Sequence, residues 1–299
     1  MTSREEKYSD AREEIENDIK KDYYKKIFIL LVKLTISIVV IFSLFFFYTK
    51  YVSTSGLIIK EKRITSNKLG NNFKGIKIIH FSDLYYGSTV FIDNVDEIVK
   101  KINIRKPDLV LFNGNLLSNN YKISSDEQQK LIKKLSSIES NIGKYAILSD
   151  NDTEESKAIL KQSGFIFLED SSEFIYDNDN NPIVLSFFNN DINKTYEYYN
   201  NDENKNIYNI TLLENPDDID KIVDKYNIDL ALSGKSLNGQ ICLYSDLCFV
   251  KYDGAKKYYK EYYKVNNTKL FISSGIGTDK IGFRFMARPS INFFRLSFK

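Results

Sequence analysis

The stretch DLALSGKSLNGQI, from Asp229 to Ile241, joins a short apolar run to a loop that holds two glycines. The apolar run, Leu230–Leu232, ends in a Ser-Gly pair, and an Asn-Gly pair closes the loop. This pattern is typical of a buried strand that leads into a tight loop at the edge of an α/β sheet, where such folds usually keep their chemistry. The loop nevertheless carries Lys235 and Leu237, which are not the residues expected to line an active site.

Segments typical of strands and helices alternate before this stretch. GIKIIHFSDL and DLVLFNGNLLS each have the pattern of a buried strand that runs into a polar turn, and VDEIVKKINIRKPD between them has helical spacing of apolar residues. Alternation at roughly 35-residue spacing predicts a mainly parallel α/β sheet. Polar residues follow the predicted strands at Asp83, Asn115, Asp150 and Glu214. Because strand ends in such sheets are where a site is assembled, we expect one there.

Two further regions have a less regular pattern. Residues 176–206 are rich in Asn, Asp and Tyr, and we expect them to hold one strand and a long surface excursion. A helix is predicted from about Pro216 to Tyr226, and the later segments TKLFISSGIGT and SINFFRLSFK are strand-like.

An apolar segment near the amino terminus predicts a membrane anchor. Residues 27–48 contain a single charge, Lys33, and a 22-residue helix spans roughly 33 Å, enough to cross a bilayer core. A cleaved signal peptide fits less well, because the apolar run is long and no A-x-A-like site follows it. A lysine cluster just before Ile27, formed by Lys20, Lys21, Lys25 and Lys26, predicts a cytoplasmic amino terminus and an extracytoplasmic domain.

These features divide the chain into four predicted parts. Residues 1–26 form a charged tail, either a solvated helix or disordered, and residues 27–48 form the transmembrane helix. Residues 49–55 are a linker, and residues 56–299 form one large domain.

Composition narrows the functional classes. The net charge of +2 gives no electrostatic argument for nucleic acid as a partner. A single histidine, His80, excludes a multi-histidine metal site, and two cysteines are too few for a disulfide scaffold or a zinc ribbon. Cys242 and Cys248 flank a plausible hairpin and form either an extracellular disulfide or two free buried thiols.

The order of the loops resembles that of a known family. FSDL, NGNLL, LSDND, LLENPD, SGKSLNGQI, LFISSGIGT and RFMARPSI follow one another along the chain. They resemble the loops of the calcineurin-like metallophosphoesterases, in particular a membrane-associated bacterial branch with SD-L-H, G-D-L, G-N-H-D, H-N-P-D, G-H-T-H-G-G-Q, S-G-I-G-T and R-P-E. The resemblance covers Gly56 to Lys299. It implies a four-layer α/β/β/α sandwich with a two-metal site at the strand ends.

The resemblance also locates the metal ligands, and most of them are replaced. The positions of the first metal's ligands hold Asp83, Tyr85, Asn115 and Leu237. The positions of the second metal's ligands hold Asn115, Asp150, Glu214 and Lys235. The position of the acid–base histidine holds Asn151, and only Asp83 keeps the family's identity among the ligands.

These replacements predict a loss of hydrolytic chemistry. Two-metal hydrolysis needs a bridging ligand that holds the ions about 4 Å apart, whereas Asn115 offers only a neutral carbonyl oxygen. Leu237 cannot ligate, nor can Lys235 while it is protonated. We therefore expect a membrane-anchored pseudophosphoesterase with no cofactor that acts as a binding or scaffolding module. Beyond the membrane, its partner is an unknown protein or an anionic ligand.

Two alternatives remain open. The first is a residual hydrolase with at most one hard divalent cation, Mg, Mn or Ca, on the oxygens of Asp83, Asn115, Asp150 and Glu214. The second is a decayed chain with little function beyond folding.

Three side chains near the site carry further expectations. His80 lies on the opposite strand face from Asp83, so we expect it in the core. If the family geometry holds, the Lys235 ammonium lies where the second metal would sit, as a counter-ion for Asp150 and Glu214. Arg284, like Arg288, fits the family's carboxy-terminal arginine region and either binds an anion or pairs with surface acids.

Overall fold

A computed structural model describes residues 2–70, 75–167, 171–177, 180–188, 206–244 and 247–299, with side chains from residue 7 onward. The chain divides into two compact units, Met1–Thr49 and Lys50–Lys299.

The first unit is a single helix. Helix α1, Thr2–Phe47, includes the predicted tail and continues as one π-helical segment, Tyr48–Val52, into the predicted linker. All of its described side chains from Lys7 to Phe47 are exposed. Among the described residues this is the one helix long and apolar enough to cross a membrane, a test that an amino-terminal signal sequence also passes.

The second unit contains short helices and strands in alternation. Its helices are α2 (Ile92–Asn103), α3 (Ser125–Ser136), α4 (Glu154–Gln162) and α5 (Ile219–Ile222). Its strands are β1 (Ile58–Ser66), β2 (Ile76–Phe81), β3 (Leu109–Asn113), β4 (Gly143–Ile147), β5 (Ile166–Phe167), β6 (Ser172–Tyr176), β7 (Pro182–Phe188), β8 (Tyr208–Leu213), β9 (Leu230–Ser233), β10 (Cys242–Tyr244), β11 (Leu247–Cys248), β12 (Tyr262–Val265), β13 (Thr268–Ile272) and β14 (Ser290–Phe298).

The strands form two six-stranded mixed sheets and one hairpin. The first sheet has the order β1-β14-β2-β3-β4-β5, and the second has the order β12-β13-β9-β8-β7-β6. Strands β2 to β5 are parallel, as are β7, β8, β9 and β13, while β14 is antiparallel to β2. Every residue of β3, β8 and β9 is buried, as expected for parallel strands covered on both faces. The predicted α/β class is confirmed.

Three apolar clusters make up the core. One contains side chains of both sheets, including Ile78, Leu185 and Phe294. A second covers the first sheet with side chains of α2, α3 and α4, and a third covers the second sheet with side chains of α5. Helix α2 buries Val95, Ile98, Val99 and Ile102, the spacing that predicted it.

The helix predicted from Pro216 to Tyr226 is wrong in extent. The chain forms a 3-10 turn, Pro216–Asp218, and then the single turn α5. The Asp217 carboxylate accepts hydrogen bonds from the backbone N–H groups of three consecutive residues, Lys256, Lys257 and Tyr258. These hydrogen bonds hold the first turn against a loop about forty residues further along the chain. The predicted surface excursion at 189–205 lies outside the described residues.

The two sheets are joined at the ends of their parallel strands. The amide of Asn113, the last residue of β3, donates to the carbonyls of Leu213 in β8 and Leu232 in β9, at 3.0 and 3.1 Å. The loops that follow β2, β3, β4, β8 and β9 therefore leave the sheets close to one another.

His80 lies in the core, as predicted. It is fully buried on the strand face of Ile78, where its ring stacks on Phe294 with centroids 6.5 Å apart. Its Nδ1 lies 3.3 Å from the amide nitrogen of Asn292. Burial lowers the pKa of His80 to about 3, so the imidazole is neutral at physiological pH.

This burial predicts a pH dependence with a definite sign. A histidine whose pKa is lower in the folded state stabilises the fold above its unfolded pKa of 6.5, and that contribution is lost as the pH falls towards 3. The loss amounts to about 3 kcal/mol between pH 7 and pH 4. Because the chain has one histidine, its imidazole C2 proton gives a single NMR signal, which should not titrate between pH 5 and pH 8. A midpoint near pH 6.5 would contradict the buried placement.

Candidate functional site

The backbone at the strand ends is held in an uncommon conformation. Asp83, Tyr85, Asn115, Lys235 and Leu237 all have positive φ, between 44° and 67°. Non-glycine residues rarely adopt this left-handed region, and such strain costs about 1–3 kcal/mol each and clusters at functional sites. Five of the eight positions assigned to the site from the sequence share it. The loops thus have the backbone geometry of a functional site even where the side chains differ from those of the family.

Asp83 is fully buried, and donors of the chain itself surround its carboxylate. Oδ1 accepts a hydrogen bond from the Asn115 amide at 2.7 Å. Oδ2 accepts one from the backbone N–H of Lys235 at 2.9 Å and another from the Ser82 hydroxyl. Burial raises the pKa of Asp83 to about 6, and these hydrogen bonds oppose the rise.

Asn115 points its amide nitrogen, not its oxygen, at Asp83. An ionised carboxylate can only accept hydrogen bonds, so the neighbouring amide must present its donor. The Asn115 side-chain oxygen instead accepts from the Ser149 hydroxyl at 2.8 Å and from the Asn151 amide at 3.4 Å. The position that would bridge two metals in the family is therefore a hydrogen-bonded link between two loops.

The ammonium of Lys235 pairs with the buried carboxylate of Glu214. Its ammonium is 3.0 Å from Glu214 Oε1 and 2.5 Å from Asn215 Oδ1. The side chains of Lys235 and Glu214 are only 13% and 8% exposed, so water screens this pair weakly. Asp150 Oδ2 is 3.9 Å away on a side chain that is 76% exposed. The expected counter-ion role is confirmed for Glu214 and is marginal for Asp150.

Leu237 and Tyr85 fill space beside Asp83. Both are buried, and a Cβ atom on Gly275 would lie 2.4 Å from Leu237 Cδ2 and 2.9 Å from Asp83 Cβ. Gly275, with φ of 65°, is thus required for the close approach of its loop. An apolar side chain replaces the nitrogen ligand that the family places at this point.

The Asp152 carboxylate links the loop after β3 to the loop after β4. Its carboxylate accepts three backbone N–H groups, from Asn115 at 2.6 Å, Leu116 at 2.8 Å and Ser149 at 3.0 Å. Burial raises its pKa. Three donors from two loops fix the loop after β3 to the loop after β4, which holds Asn115 in place.

The expectation for Arg284 was wrong. Its side chain is fully buried and donates to the carbonyls of Ser274 at 2.7 Å, Ala287 at 3.0 Å and Gly277 at 2.6 Å. Burial lowers its pKa to about 10. The guanidinium therefore closes a loop instead of facing a surface acid or an external anion.

Sequence comparison reveals relatives over most of the chain. The uncharacterized metallophosphoesterase YkuE of Bacillus subtilis strain 168 is 26% identical over 258 residues, which cover 83% of this chain and 88% of that protein. An uncharacterized metallophosphoesterase of Helicobacter pylori strain 26695 is 29% identical over 254 residues, 80% of this chain and 63% of that protein.

Over most of its length the chain is thus similar to proteins named metallophosphoesterases. It spans less than two thirds of the length of the Helicobacter relative. No protein-family model matches the sequence.

Solved structures of related architecture show only a distant likeness. An archaeal phosphodiesterase aligns over 67% of this chain and 84% of its own, with 13% identity and a TM-score of 0.35. Thermus thermophilus sulfate thiohydrolase SoxB aligns over 67% of this chain and 52% of its own, with 9% identity and a TM-score of 0.41. At these scores the likeness adds nothing to the family assignment.

The side chains at the expected ligand positions do not fit a divalent metal ion. Within the part of the chain that the structure describes, no three His, Cys, Asp or Glu side chains are grouped as metal ligands. The four oxygen donors proposed for a single cation fall into two pairs, Asp83 with Asn115 and Asp150 with Glu214. Lys235 contacts both pairs, through its backbone N–H and its ammonium. A divalent cation there would face a fixed positive charge.

Two contributors to the site were missed in the sequence. Asn215, in LLENPD, accepts from the Lys235 ammonium and donates to Asp218 at 3.1 Å. Ser149, in LSDND, satisfies the Asn115 oxygen. Asn215 directly follows Glu214 and Ser149 directly precedes Asp150, two positions assigned from the family pattern. This adjacency in the sequence was the signal that could have identified them.

The buried ion pair predicts a stability difference. Lys235→Met keeps much of the apolar stem but leaves Glu214 without its cation, and breaking a buried pair costs about 3–5 kcal/mol. We expect a clear fall in melting temperature at pH 7, measured by calorimetry. The fall should shrink in acid, where carboxylates lose their charge.

A matched control separates this effect from loss of any lysine charge. Lys130 pairs with Asp126 at 2.6 Å on an exposed helix face, so Lys130→Met should leave the melting temperature nearly unchanged. Equal losses for the two variants, or no loss for Lys235→Met at any pH, would remove the case for an internal counter-ion.

Proposed function

We propose that this chain is a membrane-anchored metallophosphoesterase homologue that has lost metal-dependent hydrolysis and serves as a binding or scaffolding module. The observation that carries the proposal is the position of Lys235. Its ammonium lies 3.0 Å from Glu214, and its backbone N–H donates to Asp83 at 2.9 Å. One residue thus engages a carboxylate from each half of the family's two-metal arrangement.

The remaining side chains offer no substitute chemistry. A bound metal lowers the pKa of water to about 7, and without one a neutral site needs another base to make a nucleophile. Asn151, at the acid–base position, has an amide that neither takes nor releases a proton near neutrality. The chain's one histidine is buried between the sheets. These features support a family member that binds without turning over a phosphoester.

The alternative is a residual phosphoesterase with one hard cation. Asp150 favours it, because its carboxylate is 76% exposed and lies near the site. The cation would have to displace the ammonium from Glu214, which also accepts the backbone N–H of Asp150 at 2.9 Å. A hydrolysis assay distinguishes the binding module from the residual phosphoesterase.

We expect the full chain in detergent to show no hydrolysis of aryl phosphates, phosphodiesters or lipid-linked pyrophosphates, with or without added manganese. A heat-inactivated sample sets the background, and an active metallophosphoesterase under the same conditions shows that the assay responds. Turnover that exceeds the background and disappears with a chelator would overturn the proposal and favour the residual hydrolase.

The anchor and the layered arrangement belong to the same proposal. The apolar, fully exposed helix α1 supports a single membrane span. The lysines that precede residue 27 support a cytoplasmic amino terminus. Three separate core clusters, one shared by the two sheets, support an α/β/β/α sandwich for residues 56–299.

Orientation has a direct test. Protease added to intact cells should digest the domain, because the positive-inside rule places it outside the cytoplasm. Protection in intact cells combined with digestion in inverted vesicles would reverse the assigned topology. A cytoplasmic marker protein that stays intact shows that the cells remained sealed.

A further inference from the structure

The hairpin that follows the Lys235 loop is exposed and apolar. Strands β10 and β11 present Leu243, Tyr244 and Leu247 to solvent, and Phe249 after them is 62% exposed. Met286, 59% exposed, lies beside the hairpin, because the Cys242 N–H donates to the Phe285 carbonyl at 3.0 Å. We call residues Cys242–Tyr244 and Leu247–Phe249 together with Met286 the apolar hairpin; residues 245–246 lie outside the described residues and are not part of it.

The base of the apolar hairpin is tightly held, so a loose loop does not explain the exposure. Cys242 and Cys248 form a disulfide across it, which decides between the two states left open by the sequence. Gly239 packs so closely that a Cβ there would lie 2.6 Å from Cys248 Sγ. Just before the hairpin, the buried Gln240 donates to the Ile281 and Phe283 carbonyls at 2.6 and 3.0 Å.

The apolar hairpin lies near the point where the domain receives the chain from helix α1. Strand β1 begins at Ile58, whose N–H donates to the Pro289 carbonyl at 3.1 Å. Met286 is three residues before Pro289, a span of at most about 11 Å. The first strand of the domain and the apolar hairpin therefore start from the same edge. About ten residues separate this edge from the end of α1 at Phe47.

A basic residue follows each part of the apolar hairpin in the sequence. Lys251 is exposed two residues after Phe249, and Arg288 is exposed two residues after Met286. Apolar and aromatic side chains with basic residues beside them are the combination that binds at a lipid–water interface. Contiguous exposed apolar residues of this kind mark an interaction site more often than scattered ones do.

We propose that the apolar hairpin docks into the lipid surface to which the chain is anchored. The proposal rests on the membrane anchor proposed above. It commits to lipid as the occupant because only about ten residues of chain join the anchoring helix to β1 and because basic residues follow the apolar ones in the sequence. The Lys235–Gly239 loop runs directly into the hairpin, so docking would hold the altered site towards the lipid headgroups.

The composition of the chain provides a clean reporter. It contains no tryptophan, so Leu243→Trp and Phe249→Trp each introduce a single fluorophore into the full chain. Ile104→Trp is the control, because Ile104 is 70% exposed at the end of α2, next to the amino end of β3 and away from the strand ends that form the site. Each variant is reconstituted into nanodiscs with and without brominated lipid.

We expect brominated lipid to reduce emission about twofold for Leu243→Trp and Phe249→Trp and to leave Ile104→Trp unchanged, since bromine quenches only fluorophores within the bilayer interface. Emission of the first two should also shift to shorter wavelength. Equal behaviour of all three variants would overturn the proposal. Emission that depends on the number of chains per disc would overturn it too, by assigning the hairpin to a second copy.

The same samples separate failure of the docking from failure of the anchor. If the chain leaves the lipid in alkaline carbonate, the proposed anchor is wrong and the docking proposal falls with it. If the chain stays with the lipid but the hairpin fluorophores are not quenched, the anchor stands and the docking is wrong.

Discussion

The contact between Lys235 and the two carboxylates on either side of it is the interaction on which the site depends. Asp83 follows a strand of the first sheet and Glu214 follows a strand of the second. Lys235 donates its backbone N–H to one and its ammonium to the other. A carboxylate buried without a donor or a cation is costly. In this chain Lys235 and the Asn115 amide supply these partners.

The loops of the site have an uncommon backbone conformation that their surroundings enforce. Left-handed backbone at Asp83, Asn115, Lys235 and Leu237 is strained, and strain of this kind persists only where surrounding contacts enforce it. The three N–H groups on Asp152 and the carbonyls gathered by buried Arg284 are such contacts. A rigid frame therefore surrounds Asp83 and Lys235.

Much of this arrangement could be predicted from local pattern. The two-residue period of a strand placed His80 in the core, and the order of the loops placed Lys235 near Glu214. The remainder depends on contacts between distant parts of the chain. Asp217 binds a loop forty residues away, and the α-helix that follows it is a single turn. Arg284 is buried because three carbonyls converge on it, and no spacing in the sequence records that convergence.

Diffraction from crystals of the full chain grown with manganese, collected at the manganese absorption edge, tests the central claim most directly. The account predicts no anomalous peak between Asp83 and Glu214, with the Lys235 ammonium within hydrogen-bond distance of Glu214. An anomalous peak coordinated by these carboxylates, with the lysine side chain displaced into solvent, would contradict it.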